Sequence, residues 1–352
     1  MSITTVSHVL NNVAGKRVHP DTRARVQETA ERLGYSPNAL ARTLRTHRSG
    51  TIGLIGDEVA TTPFAGRIIL GVQDAVKAHD AVLLITTTGY ERDVEEREIG
   101  ELLRRQVDGV LYTAMYHRQV TVPEPLLGLP LVVLNAFTDQ DVSWVVPDEV
   151  AGGWDATQVL IEAGHRRLAF INDVDDIPAR HGREEGFRAR AAAAGLSQAE
   201  DAVVVYAAPD ASGAHSAARP LLDAPHRPTG IFCFNDRMAM GVYRAAAELG
   251  LRIPEDLSVV GFDNQENVAD GLFPGLTTIA LLHYEMGAWA AEQLFAQIEA
   301  PAGEAPPPQT AKFRGRVVNR YSVSPPPGKA GEVTTITWAD VAASVRARKP
   351  DE

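Results

Sequence analysis

The chain has 352 residues and carries 34 Lys and Arg against 45 Asp and Glu, a formal net charge of −11. This length is sufficient for two α/β lobes. No run approaches the ~18 apolar residues that span a bilayer, and no secretory signal is visible. Cys233 stands alone in an apolar run, so a disulfide within one chain is excluded. We therefore expect a cytoplasmic protein without a membrane partner.

The charge is unevenly distributed along the chain. Residues 1–48 contain eight Lys and Arg against three acids, which gives +5 and leaves −16 for residues 49–352. A basic segment joined to an acidic body indicates that the segment contacts a polyanion and the body has another role. The alternative interpretation is a solvated helical cap with its arginines in water.

The first predicted element is a short helix near the N-terminus. Val6, Val9 and Leu10 are three and four residues apart, so they share one helix face. A short helix with one apolar face and small polar side chains elsewhere can lie in the major groove of DNA. The small polar residues are Thr4, Thr5, Ser7, His8 and Asn11.

Two more helices are predicted in the basic segment. One runs from about residue 22 to 33, with Val26, Ala30 and Leu33 inward and a glycine at its end. A third short helix covers residues 38–44, after a Ser-Pro pair.

The acidic body alternates apolar runs with amphipathic stretches. Buried runs separated by helices predict parallel sheets built from βαβ units. The runs are 52–55, 82–85, 109–112, 131–134, 168–171, 203–206, 231–234 and 257–262, and the helical stretches include 68–78, 94–105 and 183–194. Residues 300–309 are predicted to form an exposed loop.

Several segments together resemble one protein family. TTVSHVLN (4–11), VHPDTRARV (18–26) and LGYSPNALARTLRTHRSGTIGLI (33–55) occur in order, as do GHRRLAFI (164–171), FNDRMAMG (234–241), IPEDLSVVGFD (253–263) and LTTI (276–279). They resemble the lactose-repressor/galactose-repressor (LacI) family of bacterial transcription factors, over about residues 2–325.

The resemblance implies an α/β fold with a two-lobed periplasmic-binding-protein-like core and an N-terminal all-α head, a partial helix-turn-helix that binds DNA. It divides the chain into the head and hinge helix (1–48), the effector-binding and dimerisation domain (49–325) and a C-terminal extension expected to be flexible (326–352). The lobes would comprise 51–148 with 281–311, and 149–280 with 312–325, with a ligand cleft between them.

The sequence departs from the family pattern at its start. Members place a first helix and a turn before the recognition helix, whereas this sequence begins at Met1 after that point. Two interpretations stay open: a start that was assigned too late, or a truncated form that binds DNA poorly. As the sequence stands, we expect Val6 and Val9 to lack a packing partner and the helix to fray.

The resemblance also implies roles in DNA binding as a homodimer on a pseudo-palindromic operator. Thr4 and His8 would reach base edges and Ile3 a thymine methyl, while Leu44 would kink the DNA as a minor-groove wedge. Phosphate contacts would come from Thr5, Ser7, Asn11, Tyr35 and Asn38. Helix capping is the alternative for Thr5 and Ser7, and core packing for Leu44.

A second set of residues is implied to bind a small effector, most simply a sugar or sugar derivative. Arg183 can donate two hydrogen bonds from its planar fork, and Asp263 ends a strand where parallel sheets bind ligands. The remaining positions are Phe64, Asp148, Asn235 and Asp236, with helix capping as the alternative for Asp236. Ala65 and Leu281 replace an aromatic and a polar residue of the family, so no known member's inducer is transferred.

Catalytic motifs are missing from the sequence. It contains no Walker A, G-x-S-x-G or H-E-x-x-H pattern. Asp173, Asp175 and Asp176, near two arginines, are more consistent with hydrogen bonds to a polyhydroxy ligand than with acid catalysis. We expect no enzyme, cofactor or metal. The hypotheses are a ligand-responsive repressor, a soluble sugar-binding receptor, and a sensor that binds effector but not operator.

Overall fold

The computed structural model describes residues 2–10, 18–33, 48–58, 65–114, 117–301 and 303–328. The chain forms two compact units, unit 1 with Met1–Val146 and His283–Ala311, and unit 2 with Pro147–Leu282 and Lys312–Glu352. These boundaries lie about two residues from the lobe boundaries expected from the family resemblance. Within the described ranges, no helix has the length and apolar character needed to cross a membrane.

The regular elements alternate along most of the chain. The strands are β1 Thr51–Gly56, β2 Val82–Thr87, β3 Gly109–Thr113, β4 Leu131–Leu134, β5 Ser143–Pro147, β6 Leu168–Asp173, β7 Ala202–Ala207, β8 Gly230–Cys233, β9 Ser258–Asp263, β10 Thr277–Ala280, β11 Thr310–Phe313 and β12 Arg316–Val318. The helices are α1 Ile3–Leu10, α2 Pro20–Arg32, α3 Ala65–Ala78, α4 Arg92–Arg104, α5 Glu149–Glu162, α6 Pro178–Ala193, α7 Ala211–Asp223, α8 Asp236–Glu248, α9 Glu266–Ala269 and α10 His283–Glu299, with a 3-10 turn at Glu124–Leu126.

The N-terminal helices form a small pair. The Ser2 hydroxyl accepts the Thr5 backbone N–H at 3.1 Å and so caps α1. Helix α1 packs against α2, and Val9 and Val26 are only 3% and 5% exposed. The expectation that Val9 lacks a packing partner is therefore wrong. The prediction that Leu33 points inward is also wrong, because α2 ends at Arg32 and Leu33 is 71% exposed.

Unit 1 is built around a six-stranded sheet in the order β11-β5-β4-β3-β1-β2. Strands β1 to β5 pair in parallel with their neighbours. Helices α3 and α10 pack together beside it, so closely that a Cβ on Gly71 would lie 2.0 Å from the Tyr284 carbonyl oxygen.

Unit 2 repeats this plan with the order β12-β10-β9-β8-β6-β7. Every described pairing is parallel except the antiparallel edge strand β12 on β10. Four phenylalanines fill its core, Phe170, Phe187, Phe232 and Phe262, all fully buried. The Phe170 and Phe232 rings stack with centroids 4.2 Å apart. This burial fixes the strand ends that carry the polar residues discussed below.

Helices α5 and α6 touch through their backbones. A Cβ on Gly153 would lie 2.2 Å from the Arg183 carbonyl oxygen, and one on Gly186 would lie 2.1 Å from the Val150 carbonyl oxygen. No other residue fits at these two positions without moving a helix. The close crossing places the start of α5 beside the first half of α6.

The α/β class predicted from the sequence is confirmed, and each of the eight apolar runs corresponds to a strand. The sequence pattern missed the four strands β5, β10, β11 and β12. The loop expected at 300–309 is irregular wherever it is described. The predicted third helix at 38–44 and most of the C-terminal extension lie outside the described residues.

Candidate functional site

Polar side chains gather at the carboxyl ends of the parallel strands in unit 2. Asp173 ends β6, Asp263 ends β9, and Asn235 and Asp236 follow β8. The carboxyl ends of parallel strands share one edge of the sheet, which is where α/β folds bind ligands. Arg183 on α6 reaches the same edge and is 4% exposed.

The Arg183 guanidinium is held by a carboxylate that the sequence analysis did not single out. Its Nε donates to Glu149 Oε2 at 2.7 Å and its Nη2 to Glu149 Oε1 at 3.2 Å. Its Nη1 donates to the Phe234 carbonyl oxygen at 2.5 Å. Glu149 is the first residue of α5. The close crossing of α5 and α6 at their glycines therefore brings its carboxylate to Arg183, where the two form a bidentate ion pair.

Two aromatic rings cover the faces of the same guanidinium. The Cζ of Arg183 lies 3.7 Å from the Phe262 ring centroid and 4.3 Å from the Phe234 centroid. Cation–π attraction of this kind is strongest where water is excluded. The rings and Glu149 together fix the orientation of Arg183.

Asp263 is the second charged partner of Arg183. Its Oδ1 lies 3.6 Å from Nη2 of Arg183, and its Oδ2 accepts a hydrogen bond from Gln265 Nε2 at 3.2 Å. Burial raises the pKa of Asp263 to about 6, an effect that Arg183 opposes and Glu149 reinforces. Its φ of 93° lies in the region that favours glycine, which marks a strained backbone at the strand end.

Asn235 and Asp236 have structural bonds that fix the start of α8. Asn235 is the N-cap, because its Oδ1 accepts the Met238 N–H at 2.8 Å. Asp236 accepts the Thr278 hydroxyl at 2.6 Å and the Gln265 N–H at 2.7 Å. Burial, and then the charge of Asp263, raise the pKa of Asp236 to about 7. The capping role that we considered for Asp236 therefore belongs to its neighbour.

Of the other two predicted effector residues, Asp148 and Phe64, the structure describes only the first. Asp148 caps α5, since its side chain accepts the Ala151 N–H at 3.0 Å. Its own N–H donates to the Phe313 carbonyl at 2.9 Å. Phe64 lies outside the described residues. Asp173, the third acid at this edge, is 2% exposed, and burial raises its pKa.

Unit 1 has its own polar pair at the carboxyl end of its sheet. Asp57 directly follows β1, is 4% exposed, and accepts a hydrogen bond from Arg118 Nη1 at 2.7 Å. The half-exposed Arg118 guanidinium lies 5.7 Å from the Tyr90 ring centroid. Neither residue was predicted from the sequence, although Asp57 follows a buried run directly, as Asp263 does.

The predicted DNA-binding residues are described only in part. Thr4 is exposed, His8 is half-buried, and the Thr5 hydroxyl lies 2.9 Å from the Ser2 hydroxyl. The side chains of Ile3 and Ser7 lie outside the described part of the chain, as do the residues Asn11, Tyr35, Asn38 and Leu44.

Comparison with known proteins identifies the family. Residues 1–38 match the family described as bacterial regulatory proteins, lacI family, and residues 157–323 match a periplasmic binding protein-like domain. The ribose operon repressor of Haemophilus influenzae is 33% identical over 306 residues, which cover 86% of this chain and 90% of that protein. The chain belongs to the LacI family. It is a transcriptional regulator and not an enzyme.

Other members support this assignment. The transcriptional repressor PurR of Yersinia enterocolitica is 32% identical to this LacI-family protein, over 93% of this chain and 95% of its own. A LacI-family regulator from Rhizobium etli has a similar structure, with a TM-score of 0.72, 33% identity and coverage of 79% of this chain and 100% of that one. A regulator from Enterococcus faecium, solved with bound ribose, has a TM-score of 0.63 and 27% identity over 78% of this chain and 99% of its own.

Proposed function

We propose that this LacI-family protein is a cytoplasmic, ligand-responsive repressor that binds operator DNA as a homodimer and responds to a sugar or sugar derivative. The observation that carries the proposal is the alignment with named repressors over nearly their whole length. One chain thus joins an N-terminal helix pair in a basic segment to two parallel-sheet units, one of which gathers polar groups at its ligand-binding edge.

The helix pair α1 and α2 is proposed to contact DNA. Thr4 and His8 would read base edges with Ile3 on a thymine methyl, and Leu44 would enter the minor groove. Phosphate contacts are assigned to Thr5, Ser7, Asn11, Tyr35 and Asn38. The capping bond between Ser2 and Thr5 supports this arrangement, because it holds the start of α1 in a helical conformation.

The homodimer is proposed to form through the free edge of the sheet in unit 1. Strand β2 is the last strand in the order, and its Val82 and Ile85 are 67% and 37% exposed. Leu70 on α3 is 42% exposed. An apolar edge strand is a site for pairing with another chain. A symmetric dimer would match two operator half-sites.

The effector is proposed to bind at the carboxyl edge of the sheet in unit 2. Arg183 and Asp263 are its principal partners, with Asp148, Asn235 and Asp236 as further lining residues. The role of Phe64, in unit 1, stays a prediction from the family resemblance. The buried acceptor oxygens of Asp263 and Asp173 suit ligands that are rich in hydroxyl groups. The bound ribose of the Enterococcus faecium regulator is consistent with this class of ligand.

Selection from random DNA duplexes tests the proposal. The protein is incubated with the pool at about 0.15 M salt, and bound duplexes are sequenced. We expect one enriched sequence with two symmetric half-sites. The Thr4→Ala/His8→Ala variant should lose discrimination within each half-site, while Gln27→Ala, an exposed change on α2, should not. Salt-sensitive binding without an enriched sequence would refute the repressor assignment for this chain and favour the sensor that binds effector but not operator.

A further inference from the structure

The Glu149–Arg183 pair bears on which effectors this site can accept. A guanidinium has five N–H donors arranged as a fork that matches a carboxylate or a phosphate. Glu149 takes the Nε edge of the fork, through Nε and one Nη2 hydrogen. The Phe234 carbonyl takes an Nη1 hydrogen, and Asp263 faces Nη2 at 3.6 Å. These contacts account for four of the five guanidinium hydrogens, and the second Nη1 hydrogen remains for a ligand.

Arg183 cannot readily turn away from Glu149 to receive a ligand. Phe262 and Phe234 lie against its guanidinium at 3.7 Å and 4.3 Å. Glu149 itself is 6% exposed and sits at the helix crossing, where a Cβ on Gly182 would approach its own Cβ to 2.7 Å. The closed ion pair is therefore part of the packed structure.

The remaining groups at this edge are mostly carboxyls. Asp173, Asp236 and Asp263 lie close enough to act on one another or on Arg183 electrostatically. Arg237 is a second guanidinium that acts on Asp263, more weakly than Arg183 does. Burial raises the pKa of all three carboxyls. An additional anion would lie beside carboxyl groups whose burial already disfavours negative charge, whereas a hydroxyl or amine would donate hydrogen bonds to them.

We infer that Glu149 determines effector specificity by occupying the guanidinium fork of Arg183, so that the site accepts neutral or cationic polyhydroxy compounds and rejects phosphorylated and carboxylated sugars. This inference rests on the proposed effector site at this edge. Glu149 acts through Arg183 and is a positioning residue.

The first arm of the test compares matched ligands on the wild-type protein. Calorimetry measures D-ribose against D-ribose 5-phosphate, and D-glucose against D-glucose 6-phosphate and D-gluconate. We expect the neutral member of any bound pair to bind at least about tenfold more tightly, as like charges in a partly desolvated site require. An anionic member that binds equally or more tightly would overturn the inference.

The second arm uses inorganic phosphate as a probe and therefore does not depend on the natural ligand. Thermal melts at increasing phosphate compare the wild type with Glu149→Gln, Glu149→Asp and Glu162→Gln, an exposed position at the end of the same helix. Phosphate should raise the Tm of Glu149→Gln alone, because its fork loses the anion that occupies it. Glu149→Asp should behave as wild type. Equal shifts in all four proteins, or no shift in a folded Glu149→Gln, would overturn the inference.

Circular dichroism checks that Glu149→Gln is folded. If it is not, the calorimetry with matched neutral and anionic ligands tests the inference.

A different result would contradict the proposed function. Operator binding that no neutral sugar alters would count against the effector response itself. Operator release by a phosphorylated sugar, under conditions where its neutral partner has no effect, would overturn only the charge specificity.

Discussion

Removing one member of the Glu149–Arg183 pair should destabilise the protein more than replacing both. The two side chains are only 5% and 4% exposed, so Glu149→Met leaves a buried guanidinium without its main partner. Such a change costs about 3–5 kcal/mol. We expect the lower end, about 3 kcal/mol, because Arg183 keeps the Phe234 carbonyl and Asp263.

Arg183→Met should cost more, about 4 kcal/mol, because it leaves two neighbouring carboxylates without a cation. The double variant Glu149→Met/Arg183→Met removes both charges and retains apolar volume between the rings. Buried ion pairs replaced in this way are close to neutral, so the double variant should lie within about 2 kcal/mol of wild type. The single losses total about 7 kcal/mol, so the coupling energy between the two substitutions should be about 5 kcal/mol or more.

Differential scanning calorimetry on the four proteins measures this cycle. A loss of about 3 kcal/mol corresponds to a Tm lower by roughly 6–12 °C for a unit of this size. Glu162→Met provides the control on the exposed end of α5. A double variant as unstable as the sum of the single variants would refute the reasoning, since it would show that the two side chains stabilise the fold independently.

Three further outcomes follow from the geometry. Gly186→Ala should lower the free energy of unfolding by about 1–3 kcal/mol or more, because its Cβ would meet the Val150 carbonyl oxygen. Gly66→Ala should be neutral or stabilising, because no atom lies within 4 Å of its Cβ position. Urea denaturation compares the two variants. His165 is buried, and burial lowers its pKa to about 4. The unfolded chain therefore binds a proton below pH 6.5 that the folded state refuses, so His165 should contribute a loss of roughly 3 kcal/mol between pH 6.5 and 4. Because the raised pKa values of Asp236 and Asp263 act in the opposite direction over this range, the contribution is measured as the difference in pH dependence between wild type and His165→Gln. Leu44→Ala should lower operator bending in a circular-permutation gel assay, and unchanged bending would contradict the wedge assignment.

The sequence pattern predicts four neighbouring strands of each sheet, including the edge strands β2 and β7, and misses the two strands at the opposite side of each sheet. The predicted strands come from apolar runs, which are typical of parallel sheets covered by helices. Of the missed strands, β11 alternates between exposed and half-buried residues and β12 has only three residues, whereas β5 and β10 are mostly buried but short. Their pairing depends on neighbours brought together from distant parts of the chain, which no local pattern reports.

The same contrast holds for the site. The strand-end rule indicated Asp263 and Asn235, because both follow a buried run directly. The partner of Arg183 was not predicted, since Glu149 lies 34 residues away and reaches it only through the helix crossing. The available signal was the glycine spacing: Gly182 and Gly186 share one face of α6, and Gly153 faces that helix from α5.

At the N-terminus, the sequence pattern predicted the positions of the first two helices, but the prediction of their packing was wrong. Val9 was expected to be uncovered, yet it is buried in the α1–α2 pair with Val26. A pair of short helices can bury a few side chains between them even where the family resemblance suggests a larger cluster. Leu33 was predicted to lie on the inward face of this helix, but α2 ends one residue before it.

Fluorescence anisotropy with a labelled operator duplex, obtained from the selection experiment, tests most directly the claim that effector and operator binding are coupled. The operator complex is titrated with D-ribose and the other neutral sugars, for wild type and for Asp263→Ala. We predict that one neutral sugar changes operator affinity about five- to 150-fold in the wild type and leaves Asp263→Ala unaffected. Operator affinity that stays constant with every sugar bound, or an equal response in Asp263→Ala, would contradict the account.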